Sequence, residues 1–117
     1  MAAFWGAVLQ CPWAFDKELG GVVETEHMFI FFQLTPKEHL SAGNRLHFDV
    51  SVDDMEAAAD AAETLGATRT DERFDDPTDG GGYITMRDPE GNAFCFVCEP
   101  SGAWTACLRD ALNRKSA

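Results

Sequence analysis

The sequence predicts an α+β fold, and three observations carry that reading. Arg45 to Val52 (RLHFDVSV) alternates strictly, with Leu46, Phe48, Val50 and Val52 on one face and His47, Asp49 and Ser51 on the other; that is the period of a strand with one face on a helix. Met55 to Leu65 is dense in alanine, the strongest helix former, with Asp53 or Asp54 ahead of it as a cap and Gly66 behind it as a left-handed stop. Short strand-like segments then follow, separated by turn residues. From Arg45 the order is strand, helix, strand, strand, strand. A helix, two weak strands and a strong one precede it, so the chain reads as one βαβββ unit preceded by most of another.

The elements follow in order. Ala2 to Leu9 (AAFWGAVL) is expected to be helical, with Phe4, Trp5, Val8 and Leu9 spaced to form one buried face. Cys11 to Phe15 is a short strand, and Gly20-Gly21 turns the chain into Val22-Val23-Glu24. Met28 to Leu34 (MFIFFQL) is a strong strand that stops before Pro36. Lys37 to Asn44 is a polar connection in which His39 is a solvated loop histidine, and His27 is a surface residue. Ala67 to Thr70 begins another strand. Arg73 to Gly82, with Asp75, Asp76, Pro77, Asp79 and three glycines, is expected to be a mobile loop. Tyr83 to Met86 and Phe94 to Cys98 are strands joined by the turn Asp88-Pro89-Glu90-Gly91-Asn92. Trp104 to Arg114 is an amphipathic helix with Trp104, Cys107, Leu108, Ala111 and Leu112 on its apolar side, ending in Arg114 and Lys115 where cations suit the dipole.

Composition excludes some function classes. The 117 residues suit one domain, and 45% hydrophobic with 25% charged residues is ordinary for a globular chain. Twenty acidic against nine basic side chains give a net charge of -11, which repels phosphate backbones and anionic lipid; no nucleic-acid or membrane partner is expected. No apolar run approaches the roughly 20 residues that span a bilayer. Met1 to Gln10 has neither the basic start nor the cleavage site of a signal peptide. Cys95-x-x-Cys98 has redox or zinc spacing, but on a strand the two sulfurs face opposite sides. All four cysteines (Cys11, Cys95, Cys98, Cys107) are therefore read as free thiols of a reducing cytoplasm, buried in the apolar interior.

Leu46-His47-Phe48-Asp49-Val50-Ser51-Val52-Asp53-Asp54, then Leu65-Gly66-Ala67, then Asp88-Pro89-Glu90-Gly91-Asn92-Ala93-Phe94-Cys95 together resemble the second module of the vicinal-oxygen-chelate superfamily, the glyoxalase/bleomycin-resistance/dioxygenase group, in its glyoxalase-like branch of the actinobacterial type. Phe4 to Leu9 resembles the first-module helix and Phe31 to Leu34 its last strand. The resemblance implies paired βαβββ modules whose sheets form a cup. It divides the chain into a first, incomplete module (1–44), a second module (45–99) and a C-terminal helical extension (100–117). The cup face is the one turned from the helices: His47, Asp49 and Ser51, then Cys95, Val97 and Glu99, while Phe94 and Phe96 pack under the helix.

Metal-binding relatives take ligands from the first and last strands of both modules. His47 and Gln33 match two such positions, and Cys95 stands where a glutamate is usual, with Glu99 as the runner-up carboxylate. The fourth ligand would come from a strand ahead of the first helix, and only three residues precede Phe4. The first module is therefore expected to be truncated and the metal site incomplete. The leading expectation is a metal-independent cup without cofactor, binding a small, partly aromatic molecule through Phe29, Phe31, Gln33, Ser51, Tyr83, Cys95, Val97 and Glu99, in sequestration, resistance or small-molecule metabolism. In the competing packing, Phe29 and Phe31 lie under the first helix instead. One alternative function is a lyase or isomerase in which Asp49 orients His47 as general base, or in which a divalent metal sits at Gln33, His47 and Cys95. The other is a non-catalytic interaction protein whose missing strand comes from another chain. An open sheet edge also leads to the expectation of a homodimer.

Overall fold

The structure, a computed structural model, describes residues 1–34 and 46–116. His39 and Arg45 lie outside the described residues. The elements in chain order are α1 (Ala2–Leu9), β1 (Trp13–Asp16), β2 (Gly20–Glu24), β3 (Phe29–Gln33) and β4 (Phe48–Ser51). After them come α2 (Met55–Thr64), β5 (Thr68–Asp75), β6 (Gly82–Arg87), β7 (Ala93–Cys98) and α3 (Ala103–Ser116). Two compact units result, one of Met1–Leu40 with Ala103–Ala117 and one of Ser41–Gly102. The α+β class and the C-terminal helix are as the sequence predicts.

In the first unit β1, β2 and β3 form an antiparallel meander. Period-two alternation sends Ala14, Val22, Phe29 and Phe31 to one face, where Leu108, Ala111 and Leu112 of α3 complete a buried cluster. Two ion pairs fix that helix over the sheet, Arg109 to Glu24 and Arg114 to Asp16 at 3.3 Å. The apolar side of α3 is narrower than its sequence suggests. Leu108, Ala111 and Leu112 are buried, but Cys107 is exposed and Trp104 remains 43% exposed while its ring meets Phe31 edge-on at 4.9 Å.

The first helix corrects the sequence reading. The expected face of Phe4, Trp5, Val8 and Leu9 is not buried: those side chains are 59%, 37%, 55% and 42% exposed, and Ala2 and Gly6 are the buried residues. The reason is close approach. A Cβ on Gly6 would lie 2.5 Å from Trp13 Cδ1, and one on Gly21 would lie 2.7 Å from Ala2 Cβ. Only small residues fit a helix seated this near a sheet, so the bulky side chains point elsewhere.

The second unit is a four-stranded sheet in the order β4-β7-β6-β5, with β4 parallel to β7 and the other pairs antiparallel. Asp54 caps α2 by accepting from the Ala57 N–H at 3.0 Å, and Gly66 leaves the helix with φ +106°, as its position predicted. The core is Met55 and Ala59 of α2 against Ile84 and Met86, with Val52, Phe94 and Phe96 packed on it. Because α2 lies over β5, β6 and β7, edge strand β4 is left uncovered. Leu46, Phe48 and Val50 have the predicted parity but are 80%, 66% and 42% exposed, so the expectation that they are core fails. Phe48 and Val50 instead line, with Ala93, Phe94, Asp88 and Asn92, a hollow of about 330 Å³.

The segment expected to be a loop from Arg73 is strand as far as Asp75. The register of β5 on β6 shifts between Arg69 and Arg73, which hid the strand from period-two reading. The remaining connection is tied down by its own donors: the Asp76 N–H donates to the Gly81 carbonyl, and the Thr78 N–H and hydroxyl donate to the Asp76 carboxylate. Across the helix side of β5, Arg69 donates to Glu56, Asp60 and Glu63, three carboxylates along one face of α2. Arg73 joins Glu56 to Asp75.

Two outcomes follow. Gly6→Ala gains about 1 kcal/mol of helix propensity but drives a methyl group into Trp13, and overpacking costs about 1–3 kcal/mol; a lowered melting temperature is expected. Hydrogen bonds from Arg73 hold both Glu56 and Asp75 below the usual carboxylate range. A carboxyl whose folded pKa is depressed contributes stability above its unfolded pKa and loses it as pH falls through the folded one. Thermal stability should therefore fall below about pH 4, the ordinary carboxylate range, and Glu56→Gln should flatten that acid limb.

Candidate functional site

The strand register that builds the second core also builds a polar surface on its other side. Phe48 stands beside Phe94 and Val50 beside Phe96, so the intervening Asp49 stands beside Cys95 and Ser51 beside Val97. On β6, Thr85 is level with Cys95 and Tyr83 with Val97. The face turned from α2 therefore carries two rows: Asp49, Cys95 and Thr85, then Ser51, Val97 and Tyr83, the last extended by Phe74, whose ring lies 6.0 Å from that of Tyr83.

His47, one residue ahead of β4, folds back onto the first row. Its Nε2 is 3.3 Å from Asp49 Oδ1, with both side chains about half exposed (42% and 59%). Cys95 Sγ lies 3.2 Å from Thr85 Oγ1, and Thr85 is itself buried at 8%. The Thr70 hydroxyl donates to the Thr85 carbonyl at 3.0 Å, which extends the polar line onto β5. Burial raises the Cys95 thiol above its ordinary value; the Thr85 contact opposes this, and the negative charges of Asp49 and Glu72 reinforce it. At neutral pH the sulfur is a thiol. The donor atoms of His47, Asp49 and Cys95 all lie within 4.8 Å of one another.

The remaining predicted residues belong to the end of β7 and to the first unit. Glu99 lies past the end of β7, where its carbonyl accepts from the Gly102 N–H. Gln33 ends β3 and is exposed in the first unit. Phe29 and Phe31 are half-buried against the α3 cluster, with the Arg109 guanidinium 5.2 Å from the Phe29 ring centroid. In the first unit the helix under which they pack is α3 rather than α1.

Residues 1–97 match the family described as the glyoxalase-like domain. The chain belongs to that family. Similar solved structures include a glyoxalase/bleomycin resistance protein/dioxygenase family enzyme from Burkholderia phytofirmans PsJN, 20% identical, covering 84% of this chain and 87% of that one at a TM-score of 0.39. A lactoylglutathione lyase from Agrobacterium tumefaciens is 16% identical over 87% of this chain and 84% of that one, at a TM-score of 0.41. Hypothetical protein SA1046 from S. aureus is 12% identical over 84% and 85%, at 0.39. No curated protein matches the chain.

Whether this glyoxalase-like domain suits a divalent metal is decided by its donors. Imidazole, carboxylate and thiol are the ligand types of zinc and similar borderline ions, and their spread of 4.8 Å lies within side-chain adjustment of one coordination shell. The set fits. His47 and Cys95 are donors the sequence suggested, and Asp49, read there as an orienting base partner, stands beside them.

Sequence reasoning missed Thr85, Thr70 and Phe74. Thr85 was within reach, since the parity that selected Tyr83 on the same strand also selects it. Phe74 was not, because the irregular register of β5 erases the alternation that would reveal it. The four thiols are free, and three are half-buried rather than fully buried. Their environments rank them: alkylation by iodoacetamide at pH 8, followed by peptide mass mapping, should modify exposed Cys107 first and Cys95 far more slowly. Thr85→Val should slow Cys95 further, because it removes the hydroxyl that favours the thiolate.

Proposed function

We propose that this glyoxalase-like domain binds a small molecule on the open face of the second-unit sheet, with His47 as its principal polar anchor. The observation that supports this is the convergence of His47, Asp49, Cys95 and Thr85 beside the flat Tyr83–Phe74 pair. A few directed polar groups next to an aromatic wall are the usual makeup of a small-molecule site. Charge narrows the ligand class. Asp49 and Glu72 stand at the site of a chain whose net charge is -11, so an anion entering without a counter-cation is repelled. The ligand is neutral or cationic, with a hydrogen-bonding head for His47 and a flat apolar part for Tyr83. The biological role this serves is sequestration, resistance or a step in small-molecule metabolism.

Catalysis uses the same groups. Asp49, 3.3 Å from Nε2, orients the imidazole ring, so that its other nitrogen, Nδ1, can take a proton from carbon beside a carbonyl and return it. A second reading is favoured by the fitting donor set. A divalent ion held by His47, Asp49 and Cys95 would polarise a carbonyl oxygen or acidify a bound water. It would also displace the Cys95 proton and reverse the local preference against a thiolate.

A thermal-shift screen separates these readings. Neutral and cationic ligands should raise the melting temperature and anionic ones should not; a binder present at 100 times its Kd stabilises by about 2.7 kcal/mol. His47→Ala should abolish that shift while leaving the unliganded melting temperature nearly unchanged. Met86→Ala, by contrast, should cost about 2–5 kcal/mol of stability as a core truncation. If only anions bind, and only in the presence of zinc, the metal reading replaces the first.

A further inference from the structure

Strand β5 carries an irregularity at the level of the candidate site. Its register on β6 is regular at Thr68 and Arg69 and again from Arg73 to Asp75. Arg69 stands opposite Met86 and Arg73 opposite Ile84, so Thr70, Asp71 and Glu72 together oppose Thr85 alone. Such a bulge re-aims side chains, and bulges are common beside functional sites.

The face that each residue takes follows from its neighbours. Met86 and Ile84 belong to the core under α2. Arg69 and Arg73 share that side, bonded to carboxylates of the helix. Phe74 takes the open side, where its ring meets that of Tyr83. Glu72, two residues before Phe74, has the same parity and falls on the open side too. It stands at the level of Thr85, so the first row runs Asp49, Cys95, Thr85 and Glu72 across all four strands. Thr70 ties the bulge down: its hydroxyl donates to the Thr85 carbonyl at 3.0 Å and accepts from the Glu72 N–H at 3.1 Å. The charge of Glu72 reaches Cys95 from this end of the row, as that of Asp49 does from the other.

Charge separates Glu72 from its neighbours. On the helix side Glu56, Asp60, Glu63 and Asp75 each meet an arginine. The Glu72 side chain is exposed, and among the described residues its carboxylate meets no cation. Phe74 beside it offers an apolar face. Residues two apart on a strand are separated by about 6.7 Å, close to the distance from ring to nitrogen in an arylethylamine.

We propose that Glu72 selects the charge of the ligand: it receives a protonated amine, while the flat part of the same molecule lies on Phe74 and Tyr83. This rests on the reading of the open face as a small-molecule site, and it narrows the ligand from neutral or cationic to ammonium-bearing. A hydrogen bond between two charged groups is roughly twice as strong as one between neutral groups, which gives the amine its advantage. A hydrogen-bonding group farther along the molecule is left for His47.

NMR titration of the whole chain with phenethylamine and with the neutral phenethyl alcohol tests this. The amine should shift the amide resonances of Glu72, Phe74, Tyr83 and Thr85, with a Kd at least tenfold below that of the alcohol. Glu72→Gln should erase the preference by weakening the amine at least tenfold and leaving the alcohol unchanged. Asp71→Asn removes the same charge one position away, at the opposite parity, and should change neither. Equal affinity of the two molecules for the open face overturns the proposal and leaves the small-molecule reading standing. So does a loss in Asp71→Asn as large as that in Glu72→Gln, because net charge alone then attracts the amine. If neither molecule shifts the open-face resonances, the proposal and the reading beneath it are both overturned.

Discussion

The parallel register between β4 and β7 fixes two surfaces at once. Placing Phe48 beside Phe94 and Val50 beside Phe96 commits those four side chains to the helix side of the sheet. It thereby commits Asp49, Ser51, Cys95 and Val97 to the other side, because a strand alternates with a period of two. Core and candidate site are not independent features that happen to share a sheet. A one-residue slip of β7 would put Cys95 under α2 and Phe94 on the open face, losing the packing against Met86 and the contact with Thr85 together. The burial of Phe94 and Phe96 thus holds His47, Asp49 and Cys95 in common view.

Period-two alternation is also why the second unit was legible in the sequence. RLHFDVSV and FCFVC each show their two faces directly, and the alanine-rich α2 carries its own cap and stop. His47, Asp49, Cys95, Ser51 and Val97 could therefore be assigned to one face without coordinates. Legibility failed where geometry is not periodic. The register shift in β5 made Arg73, Phe74 and Asp75 look like loop, and it concealed the Arg69 and Arg73 clamp that joins β5 to α2. It failed too where covering depends on another element. Alternation says that Phe48 faces the helix side, but only the position of α2 over β5, β6 and β7 says that Phe48 lies beyond its edge.

The first unit exposes a different limit. Helical spacing finds the apolar stripe of α1 correctly as a stripe, yet burial is governed by how near the helix can come to the sheet. Gly6 over Trp13 and Ala2 over Gly21 permit an approach that Phe4 or Trp5 would prevent. Small residues win the interface and the large ones are turned out, the reverse of what hydrophobicity alone ranks. The same unit shows why Phe29 and Phe31 were ambiguous. Their shared parity was evident, but α3, more than 70 positions along the chain, covers that face, and no local pattern reports so distant a partner.

Cys95 is the residue on which the chemistry of the site turns. Burial and the charges of Asp49 and Glu72 keep its sulfur protonated, and Thr85 pulls the other way. With no cation at hand, that balance leaves a polarizable, weakly donating wall beside His47, suited to holding an organic ligand and poorly suited to nucleophilic attack. A divalent ion held by the same donors would invert the balance, because the acidic neighbours that oppose a bare thiolate would then stabilise the cation. One set of side chains would in that case support two states that differ by a proton and an ion. Choosing between them would require no rearrangement of the sheet, whose register already fixes where Asp49 and Cys95 stand.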